Sequence, residues 1–113
     1  MGGFVWMDGK NQTPVTAEVE RRIGPDVPAD PKSRGRMFRE AIRAGLGKYA
    51  DEPVALMRDP SGAAALMASV IVDGATKVVR IPFDDMAATA RKWITEERKP
   101  RVPVLGIKKE SLQ

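Results

Sequence analysis

The sequence contains no cysteine and no histidine. Without a thiolate or an imidazole the chain cannot build a zinc finger, a thiol nucleophile, an iron–sulfur site or a Ser-His-Asp relay. Disulfide stapling is excluded too. At 113 residues, 42% of them hydrophobic, a chain can bury roughly two thirds of the surface its unfolded form exposes, so one domain without crosslinks is expected. Aromatic residues are scarce, with two Trp, one Tyr and three Phe, which argues against a sheet surface that stacks bases on successive rings. No apolar run approaches the roughly 18 residues of a membrane span, and no charged-then-apolar leader opens the chain. A cytoplasmic protein without membrane contact is therefore expected. The glycines form neither a dinucleotide fingerprint nor a phosphate loop. Adjacent carboxylates at Asp51 and Glu52, Asp84 and Asp85, and Glu96 and Glu97 point about 100° apart where they lie on a helix, so they make no convergent dyad. No catalytic residue, metal or cofactor is expected.

What is present is a local excess of positive charge. The chain carries net +4, and residues 32–50 hold six Lys or Arg against the single Glu40. This segment also has the clearest helical period. Phe38, Ala41, Ile42, Gly45, Leu46 and Tyr49 recur at i, i+3, i+4, i+7, i+8 and i+11, the stripe of an amphipathic helix over about 33–50. Arg36, Arg39 and Arg43 follow one another on the remaining surface, with Lys32 and Arg34 just upstream.

Upstream, Phe4 to Met7 followed by Asp8-Gly9 predicts a short strand and a bend. Thr16 can cap a short helix carrying Val15, Val19 and Ile23, which Gly24 and Pro25 stop. Pro25, Pro28 and Pro31 then favour extended geometry, so residues 1–31 read as an arm joined by a stiff connector to a body over 32–99.

Beyond Asp51 the period shortens towards 2. Asp59-Pro60-Ser61-Gly62 has the residue order of a type I turn leading from 54–58 into a strand over 66–72, although Asp59-Pro60 ahead of the helix formers Ala63 to Ala68 is also a helix start. Asp73-Gly74 predicts a two-residue hairpin loop. That loop sets Val72 opposite Ala75, Val70 opposite Lys77, Ala68 opposite Val79 and Leu66 opposite Ile81. Asp84 or Asp85 caps a last helix to about Lys99, with Met86, Ala90, Trp93 and Ile94 inward. Pro100 ends it, and residues 100–113 read as a basic arm. The fold class is α+β: one small domain with an amphipathic helix, a short antiparallel β-meander, a packing helix and extended N- and C-terminal arms. Both arms are available for exchange between subunits, so a homodimer is expected.

Guanidinium groups offer forked donors and stay charged at any working pH. The functional expectation is a non-enzymatic nucleic-acid-binding or regulatory protein in which Lys32, Arg34, Arg36, Arg39 and Arg43 on the helix face hold phosphates and Arg80, outward on the last hairpin strand, contacts bases or backbone. The run Lys77 to Asp85 resembles the strand-to-helix entry of ribbon-helix-helix repressors, but Pro100 and Pro103 follow where that family has a second helix. The order helix, three strands, helix is similar to double-stranded RNA-binding domains, but Asp84 and Asp85 stand where that family grips phosphate with lysines. The alternative is a protein-interaction module, an inhibitor, adaptor or assembly subunit, that binds an acidic or apolar partner surface through Phe4, Trp6 and the mixed face of the sheet.

Overall fold

The computed structural model describes residues 4–98, which form a four-stranded sheet with three α-helices packed on one face. In chain order these are β1 (Phe4–Trp6), α1 (Gln12–Ile23), α2 (Pro31–Leu46), β2 (Val54–Arg58), β3 (Ala65–Val72), β4 (Ala75–Pro82) and α3 (Phe83–Arg98). The sheet runs β1-β2-β3-β4, with β1 parallel to β2 and the other neighbours antiparallel. This is the expected α+β domain, with one strand added to its meander.

Local chemistry sets the boundaries. Asp30 caps α2 by accepting from the Ser33 backbone N–H and hydroxyl, both at 3.0 Å, and Pro31 occupies the first turn, where no N–H is needed. These same donors hold the Asp30 carboxyl below its ordinary range. The hairpin loop has Asp73 at φ 51° and Gly74 at φ 79°, the left-handed pair a type I′ turn requires, and every strand pairing expected from it is observed. Residues 65–72 are strand rather than helix. Asp59 decides this locally, because its carboxylate accepts from the Ser61 N–H at 2.9 Å and closes a turn instead of starting a helix.

Residues 4–23 are not detached from the body. Val15 and Val19 have no exposed surface, and Ile23 joins them in the same core as Leu56, Leu66, Val70, Phe83 and Met86. Full burial of one such side chain contributes about 1.5–3 kcal/mol, and α1 supplies three. Helix α2 buries Met37, Ala41, Ile42 and Leu46 and leaves Phe38 half-buried; it ends at Leu46 rather than near residue 50, and the half-buried Tyr49 belongs to a 3-10 turn over Gly47–Tyr49. Trp93 on α3 is likewise half-buried, whereas Phe83 is fully buried beneath the guanidinium groups of Arg22 and Arg58, 5.5 and 5.3 Å from its ring centre. Glu18 binds Arg58 through a short ion pair that lowers its carboxyl pKa. The expected basic arm over 100–113 lies outside the described residues. Among the described residues no helix is long and apolar enough to cross a membrane.

Candidate functional site

The predicted phosphate-binding cations do not form one ridge. Arg34 is held bidentately by Glu20 of α1, with contacts of 3.2 and 3.0 Å, and this carboxylate raises the Arg34 pKa further. Arg43 donates to the Ala50 carbonyl at 3.2 Å and to Asp51 at 3.1 Å. Arg80 projects from the far side of the sheet, where its Nε lies 2.8 Å from Asp59. Asp59 is only 5% exposed, and the Arg80 guanidinium, followed by the Ser61 N–H, brings its carboxyl pKa down to about 2. Lys32, Arg36 and Arg39 are exposed and make no hydrogen bond or ion pair among the described residues. Arg36 and Arg39 nevertheless share a shallow depression with Glu40, Trp93 and Glu97, so carboxylates sit beside two of the three.

Phe4 and Trp6 are brought together with a different set of residues. Both point to the helical side of β1, and with Leu56 of β2 they floor a cleft of about 540 Å³ between α1 and α2. Helix α1 lines one wall with Gln12, Thr16 and Glu20, spaced at i, i+4 and i+8 and therefore stacked on one face. Helix α2 lines the other with Pro31, Gly35, Phe38, Arg39 and Ile42. The Glu20–Arg34 pair closes the end nearest the connector, which leaves Arg39 as the unpaired charge of the cleft among the described residues.

Gly35 is the informative residue of this wall. It lies within α2, where glycine costs about 1 kcal/mol relative to alanine. A Cβ placed there would meet no atom within 4 Å, so internal packing does not require the glycine. What it provides is bare helix backbone facing the cleft, which an incoming group can approach closely.

Among the described residues, the opposite face of the sheet carries no helix. Along it Val5, Ala55, Ser69 and Val78 form one row and Met57, Met67 and Arg80 the next. Val5, Met7 and Val78 are 65%, 65% and 61% exposed and Ile71 49%. An uncovered antiparallel face normally alternates to polar side chains, and this one is mostly apolar.

Gln12, Glu20 and Gly35 were not singled out from the sequence, and Thr16, expected to cap a short helix, lies inside α1, which starts at Gln12, and donates its hydroxyl to the Gln12 carbonyl. The polar spacing of four along α1 and a glycine interrupting an otherwise helical run were the available signals. The pairing of Glu20 with Arg34 had none, since it depends on how two helices meet. In comparisons with known proteins, no family model matches this chain, and no curated protein or solved structure matches it.

Proposed function

We propose that this chain is a non-enzymatic protein-interaction module that takes an extended, acidic and apolar segment of a partner protein into the cleft between α1 and α2. The carrying observation is the cleft itself: three rings, Phe4, Trp6 and Phe38, above which an unneeded glycine leaves the α2 backbone open. Apolar side chains of the segment pack on the rings, whose rigid area costs little entropy to immobilise. A carboxylate of the segment meets Arg39, the cation of the cleft without an internal partner among the described residues. Because β1 is an edge strand among the described residues, its outer backbone groups add hydrogen bonds to an extended chain lying beside it.

The test uses two fluorescent peptides of alternating valine and threonine, one ending in Asp-Asp and one in Lys-Lys. The Asp-ended peptide binds more tightly, and its binding weakens as salt rises. Gly35→Leu fills the cleft without removing a core contact, and Arg39→Gln removes the charge; each lowers affinity by about tenfold, the effect of losing a central anchor. Equal binding of both peptides, or unchanged binding by the two variants, rejects this reading.

A second reading keeps nucleic acid as the partner, favoured by the exposure of Lys32, Arg36 and Arg39. Three phosphate contacts give a slope of log affinity against log salt near about −3. Under this reading random oligonucleotides bind with that slope and the Gly35→Leu variant binds them as the wild type does. Absence of oligonucleotide binding at low salt removes it.

A further inference from the structure

Among the described residues, β4 is the last strand of the sheet on the side away from the cleft. In a hairpin with a two-residue turn the flanking residues exchange both backbone hydrogen bonds, and pairs alternate from there. Ala75, Lys77, Val79 and Ile81 therefore bond to β3, and the N–H and C=O groups of Thr76, Val78 and Arg80 face away from the sheet. Pro82 stands at the next outward position and has no N–H. The register from Ala65↔Pro82 to Val72↔Ala75 is unbroken, so no bulge twists this edge out of reach.

We propose that β4 pairs antiparallel with β4 of a second copy of this chain, about a two-fold axis at Val78, so that two four-stranded sheets become one of eight. The residues select the register. Centring on Val78 sets Thr76 opposite Arg80 of the second copy, so all three outward residues exchange hydrogen bonds, and Lys77 lies opposite Val79. Centring on Lys77 sets two like charges directly opposite one another, which is unfavourable. Centring on Val79 sets Thr76 against Pro82, where there is no donor. The helical layers fit the same register. On the helix side of β4, Ile81 is buried under Gly45 of α2 while Ala75 and Lys77 at the other end are exposed. Antiparallel pairing places the covered end of one copy beside the bare end of the other. On the outer face the apolar rows join through adjacent Val78 side chains. This interface lies at the opposite edge from the peptide cleft and does not depend on that reading.

Light scattering at high micromolar concentration reads about twice the 12.3 kDa chain mass for the wild type. Val78→Lys puts two ammonium groups on the axis and gives the monomer mass. Because Val78 is 61% exposed, the variant keeps the wild-type far-UV spectrum. Mixing it with Val78→Glu restores the dimer as a 1:1 hybrid, a rescue that a misfolded variant would not give. The register is read by single cysteines in this cysteine-free chain. Val78→Cys places two Cα atoms about 5.5 Å apart, inside the disulfide range of about 4.4–6.8 Å, and crosslinks on mild oxidation; Lys77→Cys does not. A monomeric wild type, a dimeric Val78→Lys, no hybrid on mixing, or crosslinking at 77 in place of 78 overturns the proposal.

Discussion

Asp59 illustrates how much one side chain sets in this molecule. Its two carboxylate oxygens separately hold the Ser61 N–H and the Arg80 Nε, so one buried residue closes the β2–β3 turn and fixes a cation on the outer sheet face. Its pKa is depressed in the folded state, from an ordinary 3.8 to about 2. A depressed carboxylate stabilises the fold fully above its unfolded pKa, and this contribution disappears as pH falls through the folded one. Asp59→Asn is accordingly less stable than the wild type at neutral pH, and the gap between their melting temperatures closes between about pH 4 and pH 2. A gap that stays constant over this window would show that the carboxylate is not the source. Turn chemistry at 59–62 was legible in the sequence because its cues are adjacent. The bond to Arg80 was not, since 21 positions separate the two residues and only strand register brings them together.

At the scale of elements, α2 is the helix whose packing decides the most. Gly45 brings its C-terminal turn so close to β4 that a Cβ would lie 2.6 Å from Ile81 Cγ2 and 2.9 Å from Cγ1 and Cδ1. Ile81 is β-branched and 2% exposed, so it cannot swing clear. Gly45→Ala gains about 1 kcal/mol of helix propensity, yet overpacking of this kind costs about 1–3 kcal/mol, and the net effect is destabilising. Urea titration measures it, and Ile81→Ala in the same chain makes the alanine at 45 neutral or favourable. If Gly45→Ala stabilises the wild type, α2 does not sit this close to the sheet. Periodicity placed Gly45 on the stripe that turns towards the sheet, as its approach to Ile81 shows, although the glycine itself is exposed rather than buried. It did not reveal that Met37 is buried while Phe38 turns to the cleft, because a stripe some 100° wide leaves its margins to be assigned by whatever packs beside them.

For the molecule as a whole, the decisive fact is that β1 and α1 share one core with the rest. Parallel pairing of β1 with β2 requires the crossover that α1 and α2 provide, and Val15, Val19 and Ile23 are buried in the common cluster. Unfolding should therefore be a single cooperative event. In a Trp93→Phe variant, fluorescence of Trp6 and far-UV ellipticity are expected to share one urea midpoint. An earlier transition for Trp6 would mean that the first thirty-one residues behave as a separable arm.

Helix and strand types and the hairpin register were set by the sequence alone, because each depends on neighbours within a turn or two, as Asp73 with Gly74 and Val72 with Ala75; the helix starts were not, since α1 begins at Gln12 ahead of Thr16 and α3 at Phe83 ahead of Asp84. Only the tertiary structure decided which charges remain available. Glu20 and Arg34, Asp51 and Arg43, and Asp59 and Arg80 meet through the packing of elements, and a cation's freedom to bind a partner depends on which carboxylate comes within reach of it. The same packing turned Phe4 and Trp6 from an arm into the floor of a cleft, because β1 found a parallel partner about fifty residues away.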